Sequence, residues 1–540
     1  MPSFNLVDEP WLPCIRGDGR AEELSLRRAL VEAREQRELF DPSPLVTVAL
    51  HRLLLAVLHR AHMGPPGIDE WQELWNREHW DPAVIDAYLD RWRHRFDLFD
   101  AERPFYQVPA MGATEAIHPI GLLAQELASG NNVTLFDHSL SADPLALPPA
   151  AAARYLVARQ AFSIGFGRSQ PFYFADSPAL RGYGVLAFGD NLFETLALNL
   201  MPYNSNRPIP WQGEDEAAWE QDRPATPDHA GTPPRGFVDY LTWQSRRIRL
   251  IAEGDGTPFV RRCQLGQNLK LAGDRRDPFK GYVVDRAVGT YARGFRPDRA
   301  LWRDSHALLQ QGAPGSERPD LFNHLSRVDL LRDRGAIAAR PVYAFGCFGL
   351  ATEQGNAASV VLWRQERLPL PLFYLDDRDL TTRLGEALAL ADAAKDVLRG
   401  SARRLAKLLL APGSDDPNQR QPKKEDIEPL LTHLAPERRY WPRLEVTFKH
   451  LLVRLPGDRT EEDGSIDYGR RELPTWAREV RSAARAAFEE TTRGLDGSAR
   501  TLKAAVQAQS VFDARLHKVI HPFLASEESR ETEEANEPTK

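Results

Sequence analysis

From about residue 376 onward the apolar residues fall into four stripes, and these constrain the fold more than any other feature of the chain. Leu380, Leu384, Ala387, Leu388, Ala391, Ala394 and Val397 recur at three- and four-residue steps. So do Leu444, Phe448, Leu451, Leu452 and Leu455, then Trp476, Val480, Ala483 and Ala487, then Leu502, Ala505, Val506, Phe512, Leu516 and Val519. A helix turns once in 3.6 residues, so each set lines one face, and that face needs a neighbour to cover it. Breakers at Pro412-Gly413 to Pro422, at Pro456-Gly457 and at Gly494 to Gly497 separate the sets. Four such stripes with short connections predict an antiparallel four-helix bundle over residues 373–524.

Residues 1–372 show no comparable period. They mix short strand-like runs (Ser3 to Val7, Leu241 to Ile251, Tyr343 to Phe348), Pro-rich turns and modest helices such as Ala150 to Phe162. Gly213 to Gly236, rich in Pro, Asp, Glu and Gly, reads as a long surface loop. The run after Leu241 carries Arg246, Arg247 and Arg249, partly alternating with apolar residues so that basic side chains share a face. The expected fold class is therefore α+β: a large mixed α/β N-terminal domain followed by a C-terminal antiparallel four-helix bundle. Residues 525–540 hold six glutamates and no aromatic, which predicts a disordered acidic tail. The greasiest segment, Val46 to Leu58, is interrupted by His51 and Arg52, so it reads as a buried helix, and no stretch is expected to span a bilayer.

With 69 basic against 76 acidic residues the formal net charge is −7. Affinity for nucleic acid comes largely from Lys and Arg displacing counterions. A stand-alone coat for DNA is thereby disfavoured, while local binding through clustered basic residues stays open. The N-terminus lacks the positive and apolar regions of a secretory signal. Cys14, Cys263 and Cys347 are scattered and odd in number, which argues against a disulfide framework or a CxxC zinc site and for a reducing, cytoplasmic setting. No phosphate-binding loop, GxSxG elbow or nuclease-like acidic cluster stands out. The expectation is a binding protein without catalytic residues, cofactor or resident metal. Asp513, His517 and His521 fall at i, i+4 and i+8, which is metal-like spacing. The alternative is a metal-dependent nuclease or hydrolase built on them. Histidines near a helix C-terminus also suit the helix dipole, which is the structural reading.

Several strings then point together. Phe4-Asn5-Leu6-Val7-Asp8-Glu9-Pro10-Trp11-Leu12-Pro13 opens the chain, and Ser129-Gly130-Asn131-Asn132-Val133-Thr134-Leu135-Phe136-Asp137-His138 follows. Gly189-Asp190-Asn191-Leu192-Phe193-Glu194-Thr195 and Tyr240-Leu241-Thr242-Trp243-Gln244-Ser245-Arg246-Arg247 come next. In this order and spacing they resemble the CasA family, the large subunit of the type I-E Cascade complex, an RNA-guided antiviral surveillance particle. The resemblance covers most of the chain. It implies a mixed body followed by a helical bundle, and recognition of the protospacer-adjacent motif (PAM) through the minor groove of target DNA. It also implies help in starting duplex unwinding and R-loop formation. The implied partners are the other Cascade subunits, the guide RNA, target double-stranded DNA and a separate nuclease-helicase, with no membrane.

The resemblance also assigns residues. The segment from Phe136 to Pro149 is a Pro- and Asp-bearing loop, in which Phe136 reads either as a core anchor or as a side chain that stacks on or wedges between bases. In the family this loop engages the complex and the DNA, and Phe136, Asp137 and His138 occupy the matching positions. Gly165 and Gly167 form a tight turn or let the backbone approach a phosphate or groove floor. The family has a Gly-rich, PAM-contacting loop here. Lys280 follows Pro278-Phe279, so it is expected on a turn with a long flexible stem, either solvated or reaching adenine N3 or thymine O2. The family places a PAM-reading lysine in this segment. Gly349 to Ala358 reads as a hairpin, either a plain surface feature or the family's DNA-separating wedge, often led by Gln. Ala357 stands where that Gln is expected, so Gln354 or Asn356 substitutes for it, or the tip (Gly355, Ala357, Ala358) acts through its backbone.

Overall fold

Helix Pro44–His62 shows how the sequence builds the first part of the molecule. Ser43 caps it by accepting a hydrogen bond from Val46 N, Pro44 sits where its missing N–H is not needed, and Met63 ends it in the left-handed region at φ 50°. By length and composition this helix is apolar enough to cross a membrane, contrary to the sequence expectation, but 83% of its most apolar window is buried inside the protein. Arg52 is accommodated because Asp277 lies 2.9 Å from its guanidinium, and His51 because its Nδ1 meets the Thr47 carbonyl at 2.7 Å.

The computed structural model describes residues 2–111, 116–124, 145–163, 177–211, 213–222, 226–254, 258–272, 276–353, 356–411, 422–462 and 465–534. The chain forms two compact units, Met1–Leu301 with Gln311–Leu368, and Trp302–Gln310 with Pro369–Lys540.

In the first unit, helix Pro44–His62 packs against helices Pro82–Trp92, Pro149–Phe162 and Phe237–Leu241 and strand Val342–Glu353. Small sheets surround it. One is antiparallel in the order Asn356–Pro371, Val342–Glu353, Tyr183–Phe188, and another runs Ile117–Pro119, Phe259–Gln267, Arg246–Glu253. In the latter, Ile248 and Leu250 point inward and Arg249 outward, the period of a half-buried strand. Arg246 falls on the buried side, so it does not share the outer face of Arg247 and Arg249. The strand expected at Ser3 to Val7 reduces to one bridge between Asn5 and Asp97. There the Asn5 side chain accepts from Val7 N at 3.1 Å and its carbonyl from Glu9 N at 2.8 Å, so a local turn takes the bonds a strand would need. The long loop from Gly213 to Gly236 carries a short strand, Asp228–Thr232, parallel to Leu269–Leu271.

Among its described residues the second unit holds six α-helices and a hairpin rather than four helices alone: Ser305–Leu309, Arg378–Leu410, Lys424–Leu434, Pro436–Arg454, Glu472–Arg493 and Ala499–Glu534, with strands Arg459–Glu462 and Ser465–Tyr468. The first three stripes lie at buried positions, apart from half-buried Val397. The fourth holds at Phe512 and Leu516, which are buried, and is displaced in its N-terminal half. The buried face of the last helix is Ala504, Ala508, Phe512, Leu516 and Ile520, while Leu502 and Val506 are 56% and 67% exposed. Leu502 and Val506 are offset by two residues from Ala504 and Ala508, about 200° around the helix. The unbroken i, i+4 series with small alanines takes the interior over the larger but shorter series. The segment Trp302–Gln310 belongs to this unit: the Trp302 ring packs 4.7 Å from that of Phe448, and Arg303 pairs with Asp392 at 3.0 Å. The acidic tail departs from expectation as well. Helix continues to Glu534 through Ala525, five glutamates and Arg530, strong helix formers that outnumber Ser526, Ser529 and Thr532, and residues 535–540 lie outside the described residues.

Candidate nucleic-acid interface

Strand Tyr183–Phe188 organises the candidate site. It pairs antiparallel with Val342–Glu353 from Ala344↔Phe188 to Gly349↔Tyr183. The partner strand then runs on from Gly349 to Glu353, about 14 Å beyond the last pair at ~3.4 Å per residue. It does so at the end where residues 177–182 lead into Tyr183, so the hairpin root and that lead-in segment share one end of the sheet. The approach there is close. A Cβ on Gly349 would stand 2.9 Å from the Gly182 carbonyl oxygen, and Gly182, at φ 75°, would press a Cβ to 2.7 Å from that of Ala292.

The lead-in segment is the return limb of residues 164–176, which contain Gly165 and Gly167 and lie outside the described residues. Both ends of that segment are held. The Ser177 hydroxyl is 2.9 Å from the Ala161 carbonyl and 3.2 Å from that of Ser163, and Ala179 N donates to Ala161 O at 2.9 Å. On the entry side, Arg246 reaches the Ser163 carbonyl at 3.5 Å, and its own backbone is clasped by Gln160. That amide donates to Arg246 O at 2.9 Å and accepts from Arg246 N at 2.9 Å. On the exit side, Lys280 Nζ donates to the carbonyls of Pro178 (2.9 Å) and Arg181 (2.7 Å).

Lys280 does follow a turn, its N–H donating to Asp277 O at 3.0 Å. The flexible exposed stem expected of it is not found, because the residue is 5% exposed. The reason is electrostatic. Asp277 is buried, which by itself would raise its proton affinity, but the Arg52 guanidinium and the Lys280 ammonium outweigh this and hold the carboxyl below the usual carboxylate range. Tyr240 completes the cluster, its hydroxyl lying 3.0 Å from Asp277 Oδ2 and 3.2 Å from the Pro178 carbonyl. A buried charge has to be paired. Arg52 inside an apolar helix was the available signal for this network, yet nothing in the sequence identified Asp277, Tyr240 or Ser177 as its members.

Gln354 and Gly355 lie outside the described residues; Asn356, Ala357 and Ala358 form the first backbone positions of strand Asn356–Pro371. Phe136, Asp137 and His138 fall in residues 125–144, also outside the described residues. The flanks of that segment are fixed on one strand: Ile117–Pro119 pairs with Arg262 to Gln264, and Leu147 bridges Val260. Helix Pro149–Phe162 then separates this segment from residues 164–176 by about 21 Å, at ~1.5 Å for each of its 14 residues. Thus the structure gathers Lys280, both ends of the Gly165/Gly167 segment and the hairpin root, and leaves the flanks of the Phe136 loop at the other end of that helix.

On the last helix the His517 and His521 rings are 5.0 Å apart, and Asp513 turns to Arg485 at 3.4 Å. Among the described residues no group of three His, Cys, Asp or Glu side chains could hold a metal ion. The three cysteines are buried and free, and burial pushes the thiols of Cys14 and Cys263 up to about 12.

Comparison with known proteins places this architecture. Residues 5–487 match the family model described as CRISPR-associated protein Cse1. CRISPR-associated protein CasA/Cse1 of Thermus thermophilus is 33% identical over 520 residues, covering 95% of this chain and 97% of that protein. The crystal structure of Thermus thermophilus CasA superposes with a TM-score of 0.79 at 30% identity, over 96% of this chain and all of that one. A chain of a CRISPR RNA-guided surveillance complex shares the fold, with a TM-score of 0.72 at 22% identity over 95% of this chain and all of its own length.

Proposed function

The chain belongs to the CRISPR-associated Cse1 (CasA) family, and we propose that it serves as the large subunit of an RNA-guided surveillance complex, where it recognises a PAM in target duplex. The observation that carries this reading is the convergence at one end of strand Tyr183–Phe188. The hairpin root, both ends of the Gly165/Gly167 segment and Lys280 meet there. A hairpin rooted beside the anchored end of a Gly-bearing segment suits a task in which one feels the groove while the other enters the duplex.

In this reading Gly165 and Gly167 bring backbone to the groove floor, and the tip of the hairpin separates the strands through Gln354 or Asn356, or through the backbone of Gly355, Ala357 and Ala358. Lys280 acts from beneath. To reach a groove acceptor its ammonium would give up two charge-assisted hydrogen bonds, each worth ~1.5–3 kcal/mol. Holding the exit limb of the loop is the role its position supports. Minor-groove patterns separate A·T from G·C but little more, so several related PAMs are accepted, and sequence identity is left to guide pairing. The loop with Phe136, Asp137 and His138 engages the rest of the complex. The helical unit, read as an antiparallel four-helix bundle with two added short helices, docks the assembly and holds the displaced strand. The protein works in the cytoplasm, performs no chemistry and admits a separate nuclease-helicase for cleavage.

The test is a titration of the assembled complex, with and without this subunit, against duplexes that carry or lack the PAM. PAM-dependent affinity that appears only with the subunit is expected. Equal binding of both duplexes in its presence would sink the reading.

A further inference from the structure

In the first unit a cavity of about 90 Å³ is lined by residues 103–109 together with Arg95, Trp219, Asp239, Arg246 and Asn268, and it shares Arg246 with the convergence described above. At ~15 Å³ for each water that is room for about six, the space of one flat heterocycle. Its wall is aromatic. The Phe105 and Tyr106 rings stack 4.4 Å apart at 3°, and Trp219 lies 6.2 Å from Tyr106 at 28°. Its charge is positive, since Arg95, Arg103 and Arg246 line it against one carboxylate, Asp239. That carboxylate is already engaged, accepting from Arg235 N at 2.8 Å and Gln221 Nε2 at 3.2 Å.

Two details set the cavity apart from a packing gap. Tyr106 has φ 56°, a left-handed backbone that a bulky residue seldom adopts. It is the third residue of a turn closed by Gln107 N donating to Pro104 O at 3.1 Å, and the Gln107 side chain pins that turn: its amide donates to Leu98 O at 2.8 Å and lies 3.3 Å from Phe105 O, while its oxygen accepts from Leu250 N at 2.7 Å. Strain that the surroundings over-determine in this way gathers where side chains are posed for a ligand. Asn268, also in the wall, donates through Nδ2 to Gln244 O at 2.9 Å, which fixes the orientation of its amide and leaves Oδ1 buried without a donor.

We propose that this cavity receives one nucleobase from a single strand of nucleic acid, the ring against Tyr106 and Trp219 and the adjoining phosphate against Arg95 and Arg103. Aromatic wall plus cationic rim is the combination that binds single strands with little regard for sequence. Arg103 is committed to a long 3.5 Å contact with Gln221 O, and Arg95 to the exposed neighbour His94 through Nε at 3.1 Å and to Asp222, whose side chain is 94% exposed, so both can turn to a phosphate at small cost. The inference rests on the reading that the protein works on opened duplex. The strand is either displaced DNA or RNA, and the chemistry is common to both.

The test uses the full chain with 12-nucleotide DNA and RNA single strands bearing 5-iodouracil, cross-linked by light and mapped by peptide sequencing. Cross-links within residues 103–109 or at Trp219 are expected, displaced by unlabelled strand. They should fall about tenfold in Arg95→Gln/Arg103→Gln and measurably in Arg103→Gln alone, with the unfolding midpoint unchanged. The more efficient of the two strands identifies the source. Cross-links confined to other segments, or indifferent to both variants, overturn the proposal. PAM-dependent duplex binding that persists without any cross-link in the cavity removes this inference alone, whereas absence of PAM dependence removes the broader reading whatever the cross-links show.

Discussion

Replacing Lys280 with Met keeps the aliphatic stem and deletes the ammonium, which isolates what the charge does. Two hydrogen bonds disappear, to Pro178 O and Arg181 O, each worth ~1.5–3 kcal/mol because the donor is charged. Part of this is recovered. The Tyr240 hydroxyl remains 3.2 Å from Pro178 O, and Asp277 keeps Arg52 at 2.9 Å. The low end of the range, ~3 kcal/mol, is therefore the expected loss, and it falls on the limb that Lys280 ties down rather than on the whole unit. That corresponds to roughly a 100-fold fall in the closed population of the limb. Two assays on Lys280→Met check it. Amide hydrogen exchange over residues 178–183 should accelerate by about that factor, and PAM-dependent affinity of the assembled complex should drop while assembly itself is unchanged. Lost PAM affinity with unchanged exchange would refute the reasoning, because Lys280 would then be reading DNA directly.

Three further outcomes follow from the packing. His51, His59 and His324 are buried, and burial lowers their proton affinities to about 4, about 4 and about 3. Their folded values lie below that of an unfolded histidine, so their contribution is complete above pH ~6.5 and is lost as pH falls toward 4, at ~1.4 kcal/mol per pH unit each. Burial pushes Asp239 up to about 6, with the opposite sign: its contribution is present below the ordinary Asp range and is lost as pH rises through 6. Between pH 6 and 5 the first unit should therefore lose ~3 kcal/mol net in urea titrations, and His324→Leu should cut the histidine part of that slope by about a third. Asp277→Asn leaves the Arg52 charge without its partner and should destabilise this unit by ~3–5 kcal/mol, with Arg52→Met/Asp277→Asn milder than the single variant in a melting comparison. On the last helix, Leu502→Ser should change stability by less than ~0.5 kcal/mol and Phe512→Ala should cost ~3–5 kcal/mol in a melting comparison; a loss of several kcal/mol from Leu502→Ser would mean that Leu502 faces the interior after all.

How much of this was legible beforehand depended on the range of the physics involved. Helix Glu472–Arg493 was readable because its apolar period is local and unbroken, and Trp476, Val480, Ala483 and Ala487 are all buried. The last helix misled because two apolar series compete on it, and the choice between Val506 and Ala508 is made by neighbouring helices, which no window of one sequence contains. The hairpin flanks were legible from β-rich runs around Gly355. The meeting of its root with residues 177–182 was not, since it rests on pairing between Gly349 and Tyr183, 166 positions apart. Lys280 shows the same limit at one residue. Pro278-Phe279 announces a turn, but whether the next side chain points out or in depends on Asp277, Arg52 and two distant carbonyls.

The inward direction of these cations bears on how an acidic protein would sense duplex under the proposed function. Exposed Lys and Arg bind any DNA, and each phosphate they neutralise steepens the salt dependence by ~0.9 in log K against log salt. Three of the cations around the loop base are spent internally, while Arg181 of the same limb is exposed: Arg52 on Asp277, Arg246 on the Ser245 and Ser163 carbonyls, Lys280 on the carbonyls of Pro178 and Arg181. What they rigidify is backbone, and backbone held in place discriminates shape without attracting DNA in general. A large subunit built this way should supply PAM dependence while adding little salt dependence. Adding it to the remaining complex should steepen the salt slope by less than ~2 while PAM discrimination emerges. A steepening of ~5 or more would mean that many phosphates are neutralised, and that recognition proceeds by charge rather than by a pre-shaped backbone.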